Sequence, residues 1–226
     1  MNYSPLLSII TATLEIAAAL YGILLIKKKQ AADWSIIVIL MLLAGYQILE
    51  ALNCSPGLSG MFSRAAFIDI TWLPPLGLVF LALAIPRASS RIIAGIYVLA
   101  GLAFSVWYAF FDTSVILSHC DTVIAVYTNS EPGRWLYAVF YQSGVLLLII
   151  LPFFFPRRVI GGADSFGLKN IRYFQLGVLG FMLPSLVTAL IFTSLQRAMP
   201  SLMCHYALIL AGFLFLILRN RRRSAA

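Results

Sequence analysis

An all-α bundle of seven transmembrane helices is the fold this sequence predicts, and three observations predict it. First, hydrophobic residues make up 62% of the 226 and charged residues only 11%, against roughly 45–50% and about 25% in water-soluble domains. Mean hydropathy is +0.95. A soluble globule of this size keeps roughly a quarter or more of its unfolded-chain surface in water, and this composition has too few polar residues to cover it. Second, seven apolar segments have the length, about 20 residues, that a helix needs to cross hydrocarbon. Third, lysine and arginine gather on alternate connections. A disordered chain, a small disulfide scaffold and a cytosolic enzyme are excluded together.

The first span covers about 5–26. A secretory signal would carry basic residues ahead of its apolar run. Here Met1 to Ser8 has none and Lys27-Lys28-Lys29 follow the run, so the segment is expected to be a retained span. The second covers about 34–53; from Ile36 to Leu43 it is apolar on every face, unlike the alternating strand of a membrane barrel. The third, about 65–86, holds Trp72-Leu73-Pro74-Pro75, and the sixth, about 174–196, holds Pro184. Proline removes a backbone donor and crowds the preceding turn, so both helices are expected to kink or open there. The fourth covers about 92–112, the fifth 134–156 and the seventh 201–219. Gly45, Gly77, Gly101, Gly144, Gly177 and Gly180 are suited to close helix approach. The connections are short except for about 113–133, which carries His119, Cys120, Asp121 and the turn formers Asn129-Ser130-Glu131-Pro132-Gly133. No linker divides the chain, so residues 1–226 read as one domain.

Orientation follows from the cations, which favour the cytoplasmic side. One side collects Lys27 to Lys29, Arg87, Arg91, Arg157, Arg158, Lys169, Arg172, Arg219 and Arg221 to Arg223; the other holds Arg64, Arg134 and Arg197. The amino terminus is therefore expected outside and the carboxyl terminus inside. The net charge of +8 needs no nucleic acid. It is the topological signal plus a tail, Arg219 to Arg223, able to attract anionic lipid headgroups.

An ionisable group in hydrocarbon faces the bundle interior and finds a partner. Glu15 lies near the middle of the first span; Gln47 and Glu50 share a face of the second; Asp69 lies in the third, three residues before Trp72. Asp112 is interfacial. No lysine or arginine lies well inside a span. These acids are therefore either neutral and hydrogen-bonded to neighbouring helices, or reached by water or a cation. Glu50 and Asp69 lie on the same side of the membrane, which points to a shared outward-facing polar site. At a similar depth lie Trp107, Tyr108, Tyr137, Tyr141, Gln142, Cys204, His205 and Tyr206. Trp135 and Tyr137 fit the interfacial aromatic belt, whereas Tyr141 and Gln142 are deeper and suit a cavity wall.

All three cysteines, Cys54, Cys120 and Cys204, fall on the outer side, where disulfides persist. Cys54 with Cys120 is the expected bridge, tying the long loop over the bundle and leaving Cys204 a thiol, although three cysteines permit other pairings. Cys204-His205 and His119-Cys120 match no zinc ligand spacing, so no metal is expected. No Walker loop, dinucleotide fingerprint, zinc-protease motif or nucleophile elbow occurs, and no cofactor is legible. Retinal proteins also have seven helices, but the last span here lacks the Schiff-base lysine. The seven-helix hydrolases related to alkaline ceramidase use several histidines on zinc, and this chain has two. A three-one-three division with parallel repeats finds no support in the polar residues, which do not match between halves.

Gln47-x-x-Glu50, Trp72-Leu73-Pro74 and Pro200-Ser201-Leu202-Met203-Cys204 together resemble an uncharacterised group of bacterial seven-helix membrane proteins. The resemblance implies the topology and a bacterial cytoplasmic (inner) membrane; it carries no activity. The expectation from the residues is an outward-facing polar site lined by Gln47, Glu50, Asp69, Trp72, Tyr141, Gln142 and His205, binding or transporting a small molecule or ion. Protonation of Glu15 or Glu50 would couple to binding, and rocking of the third and sixth helices at their prolines would give access. Two alternatives stand beside it. One is a membrane-embedded enzyme on a lipid-like substrate, with Asp69 or Glu50 as base and His205 as acid or metal ligand. The other is a non-catalytic subunit of a membrane complex.

Overall fold

Small and polar side chains, not large apolar ones, face inward on the first helix. In a computed structural model of the protein, α1 (Leu6–Leu25) buries Ser8, Thr11, Ala12, Glu15, Ala18, Ala19 and Gly22 and turns Leu6, Ile9, Leu14 and Leu24 outward. That inversion suits a helix surrounded by lipid, where association comes from close packing and not from hiding apolar surface. The structure describes residues 4–55, 57–58, 60–85, 87–111, 115–121, 124–128, 133–154, 167–192 and 198–224. Asp112, Asn129 to Pro132, Arg157, Arg158, Arg197 and the expected span ends at 155–156 and 193–196 lie outside the described residues.

The remaining elements are α2 (Ala31–Asn53), α3 (Ser63–Thr71), α4 (Leu73–Ala84), α5 (Ala88–Val106, continued by a π turn, Trp107–Phe111), β1 (Ile116–Cys120), β2 (Ala125–Thr128), α6 (Gly133–Ile150, continued by a 3₁₀ turn, Leu151–Phe154), α7 (Gly167–Ile191) and α8 (Met199–Ser224). With α3 and α4 taken as one span, seven helices among the described residues are long and apolar enough to cross a membrane.

Several helices outrun their apolar segments. α2 starts at Ala31 instead of 34 because Gln30 and Asp33 form a reciprocal capping box, which satisfies backbone donors at the helix start. α5 starts at Ala88, where the Ser90 hydroxyl donates to the carbonyls of Ile85 and Arg87. α7 starts at Gly167 with Lys169 resting over the Tyr173 ring, and α8 runs past 219 because Arg221 and Arg222 find partners in Asp33 and Tyr21. Polar helix formers extend a helix beyond lipid without any apolar signal.

The third span breaks at Trp72, between α3 and α4. Pro74 and Pro75 thus sit in the first turn of α4, where the missing N–H groups would have no partner anyway. α7 continues through Pro184 without interruption.

The long connection departs from an all-α reading. β1 and β2 form a two-stranded antiparallel hairpin with an irregularity between Leu117 and His119. Ile124-Ala125-Val126-Tyr127 is rich in the β-branched and aromatic residues that strands favour; the absence of a partner run of regular alternation hid it.

α2 is the central helix, packed by α1, α3, α4 and α8, while α7 lies along α8 and α4 against α6. Asp33 at the start of α2 meets Arg221 near the end of α8, and Asn170 at the start of α7 accepts from Asn220. Lys27 to Lys29, Lys169 and Arg219 to Arg223 therefore share one end of the bundle, the basic end; the hairpin caps the other. Beneath the hairpin, Phe67, Phe104, Tyr108, Tyr127, Tyr137 and Phe140 pack ring against ring. Tyr137 is therefore core and not belt: it is 7% exposed and its hydroxyl faces that of Thr71 at 3.4 Å. Trp135, at 62% exposed, does face outward.

Candidate functional site

One face of α2 carries Tyr46, Glu50 and Asn53, spaced four and three apart, and all are fully buried. Gln47, three residues before Glu50, is fully buried as well. Four polar residues within eight of a lipid-length helix must meet other polar groups inside the bundle.

Glu50 meets α8. Its Oε1 accepts a hydrogen bond from the Ser201 hydroxyl at 2.8 Å and lies 3.7 Å from His205 Nε2. Ser201 and His205 are one helical turn apart, so both face the same carboxylate. Ser201 Oγ also accepts the backbone N–H of Ala125, in β2, at 3.2 Å. One hydroxyl thus joins the buried acid to the hairpin.

Asn53 forms a second junction. Its Oδ1 accepts the Phe62 N–H at 2.8 Å, and its Nδ2 donates to the Tyr127 hydroxyl at 3.4 Å. Tyr127 reaches down from β2 beside Tyr46, and burial pushes its hydroxyl well above the ordinary tyrosine range. It stays a neutral phenol at any physiological pH. Cys54, capping α2, is disulfide-bonded to Cys120 at the end of β1, with Cα atoms 5.9 Å apart; Cys204 is a buried free thiol.

Deeper in the bundle the polar groups lack company. Neither carboxyl oxygen of Glu15, neither side-chain atom of Gln47 and not Oδ2 of Asp69 has a hydrogen-bond partner among the described residues. Gly22 of α1 packs on Ile37 of α2; continued along these antiparallel helices, that register brings Glu15 level with Ala44, one turn from Gln47. Asp69 approaches α2 from the other side, at Gly45. Glu15 and Asp69 are within electrostatic reach of one another, and both, like Glu50, are within electrostatic reach of the Cys204 thiol.

Gly45 is needed for that approach. A Cβ there would stand 2.9 Å from Asp69 Oδ1, and the carboxyl, being the end of a side chain, would yield. Gly45→Ala is expected to shift Asp69 while costing less than about 1 kcal/mol of stability, since small overpacking next to a mobile group is absorbed. Unfolding in detergent checks the second part, and a shifted carboxyl band in the infrared spectrum, missing in Asp69→Asn, checks the first.

The other expected site residues divide. Tyr141 is buried and lines a small cavity of about 20 Å³ together with Leu43, Pro74, Val145, Phe174 and Cys204. That volume holds about one water, but the walls are almost wholly apolar. Trp72 is half-buried at the helix break, and Gln142 is half-buried away from the cavity. Neither joins the polar row. His119 is exposed on β1, 3.9 Å from Asp121. Among the described residues no three of His, Cys, Asp and Glu stand close enough to hold a metal ion. Among the described residues the polar groups around Glu50 thus lie buried under the hairpin, with an apolar cavity below them.

Ser201, Asn53, Tyr46 and Tyr127 were not anticipated. The three on helices had a signal: Tyr46 and Asn53 share a face with Glu50, and Ser201 precedes His205 by one turn. Tyr127 had none, because a loop residue's depth cannot be read from spacing. Comparison with known protein families, curated proteins and solved structures finds no match to this chain.

Proposed function

We propose that this is an integral membrane protein, in a bacterial cytoplasmic membrane with its hairpin end outside, whose interior binds a small cation and exchanges it for protons on Glu15, Glu50 and Asp69. The observation that carries the reading is a set of buried atoms with no hydrogen-bond partner among the described residues: both carboxyl oxygens of Glu15, Oδ2 of Asp69 and both ends of the Gln47 amide. Buried polar atoms without partners cost about 1–3 kcal/mol each. A chain that keeps several of them, from three different helices, is built around something that satisfies them. The charge of that ligand follows from its surroundings: among the described residues neither Glu15 nor Asp69 pairs with a lysine or arginine, and the base beside Glu50 is a histidine. Acids of this kind hold either protons or a cation, and not both, which is the elementary requirement of coupling. The break at Trp72 gives the third span a point about which α3 and α4 can tilt relative to one another.

Proteoliposomes with a trapped pH dye provide the test. Inward gradients of sodium, potassium or methylammonium are expected to alkalinise the lumen through the wild-type protein for at least one of the three. Glu50→Gln combined with Asp69→Asn, which keeps size and removes the titratable protons, is expected to slow that flux by about tenfold or more, the usual scale for loss of a positioned proton acceptor. An undiminished rate in the double variant, or no flux with any of the three cations, overturns the reading.

Glu50, His205 and Ser201 beside an apolar cavity favour a second reading, an acid–base enzyme acting on a lipid-like substrate. Against it, the Ser201 hydroxyl gives its hydrogen bond to the carboxylate and not to the imidazole, so Ser201 and His205 do not form a serine–histidine nucleophile pair.

A further inference from the structure

The hairpin covers the polar interior, and one of its attachments is covalent. Among the described residues its noncovalent hold comes from the buried side chains of Val115, Ala125, Val126 and Tyr127, ring packing on Phe67, the Ala125–Ser201 bond and the long Asn53–Tyr127 contact. A two-stranded hairpin by itself is marginal. The covalent tie lies where it matters: Cys120 is the last residue of β1, next to the hairpin turn, and Cys54 is the cap of α2, one residue past Asn53 and four past Glu50. Both cysteines are half-buried, so a thiol reagent approaching that end can reach them. The groups beneath are not ordinary core; they are Glu50, Ser201 and His205.

We propose that the Cys54–Cys120 bond is a redox latch, a modification site whose substrates are dithiol carriers of the outer compartment, and that its reduction releases the hairpin and opens the polar interior to that side. The inference rests on the reading above for what lies beneath the lid and for which side the hairpin faces. In the exchange a carrier thiolate attacks one sulfur of the bond and forms a mixed disulfide, while the other cysteine leaves as a thiolate and takes up a proton. The carrier's second thiol then attacks the mixed disulfide and releases the remaining protein thiol. The protein gains two electrons and two protons, and the carrier ends as a disulfide. With the tie gone, the hairpin depends on its noncovalent contacts, the buried side chains of a strand pair that is marginal by itself, whereas the helices keep all of their mutual packing.

Cys204 reports the opening without knowledge of any transported ligand. It is 3% exposed and lies one turn below Ser201. The experiment adds a membrane-impermeant charged maleimide to vesicles with the hairpin end outward and follows Cys204 by mass spectrometry. In the oxidised wild type Cys204 is expected to remain unlabelled. Treatment with dithiothreitol is expected to raise its labelling rate by about tenfold or more, as expected when a local opening becomes easier by at least about 1.4 kcal/mol. C54S/C120S should behave like the reduced wild type with no reductant present. Reoxidation before labelling should restore protection, which separates lid opening from loss of the fold. Equal, slow labelling of Cys204 in the oxidised, reduced and doubly substituted proteins overturns the latch, as does labelling that persists after reoxidation. Because no cation is involved, the latch can fail while cation–proton exchange survives, and the converse outcome is equally distinct.

Discussion

Replacing Arg221 with alanine is expected to destabilise the protein by about 3 kcal/mol, at the lower end of the 3–5 kcal/mol that follows removal of one partner from a buried ion pair. Arg221 is not tail decoration. Its Nε and an Nη reach Oδ1 and Oδ2 of Asp33 at 3.2 and 3.4 Å, and Asp33 is fully buried. The contact clasps the start of α2 to the end of α8. Without the guanidinium, a carboxylate is left at the edge of the hydrocarbon with the Gln30 N–H at 2.8 Å and the positive end of the α2 dipole as its remaining support, which is why the expected loss is not larger. Unfolding in detergent micelles measures it. The double variant D33N/R221A should recover more than half of the loss, because an asparagine can still accept from Gln30 and leaves no unpaired charge. If the double variant is no more stable than R221A, the loss came from packing and the charge argument fails. Neutralising the exposed Lys27 or Lys28 should change stability by less than about 0.5 kcal/mol, the ordinary scale for surface charges.

That clasp marks where sequence reasoning reached and where it stopped. The seven spans, their order and the clustering of basic residues at one end were legible because lipid imposes its demands segment by segment: a length, an apolar content and a charge bias, each local to a stretch of chain. Asp33 looked like a loop residue for the same reason. Its capping role and its partner 188 residues away are tertiary facts, and nothing in its neighbours announces them. Glu15, Gln47, Glu50 and Asp69 could be singled out because a polar group in an apolar run is costly wherever it lies. Which of them would find partners could not be read. Glu50 is met by Ser201 and His205, whereas Gln47, three residues away on the same helix, has no side-chain partner among the described residues. The difference lies in which helix faces each of them, and period alone does not give the neighbour. The hairpin was hidden by its own brevity, and with it the closure of the interior. A short strand pair joined to the bundle by one disulfide leaves almost no periodic trace, yet it covers Glu50, Ser201 and Asn53 at that end.

The glycines carry the sharpest stability prediction, because their substitution should split by sign. At Gly144 an added Cβ would stand 2.6 Å from Pro74 Cβ and 2.8 Å from Tyr97 Cε1. Neither neighbour can yield. The Pro74 ring is fixed at the start of α4, and Tyr97 is held by its hydroxyl, 2.8 Å from Ser143 Oγ, and by stacking on Phe140. Gly144→Ala is therefore expected to cost about 1–3 kcal/mol, the usual price of overpacking a tight contact, and valine should cost more. At Gly95 and Gly212 the same Cβ meets nothing within 4 Å. There, alanine is expected to stabilise by about 0.5–1 kcal/mol, because it restricts the unfolded chain and suits a helix better than glycine does. Chemical unfolding of the three alanine variants in the same detergent decides the matter. A loss at Gly144 with gains at the other two identifies the seam between α4, α5 and α6 as a contact that only glycine permits. Equal effects at all three would mean that helix propensity alone governs, and that the approach of α6 to Pro74 is looser than its geometry indicates. The seam also bounds motion at the Trp72 break: tilting α4 about that point slides Pro74 along Gly144, so an alanine there should slow the proposed cation–proton exchange as well as weaken the fold.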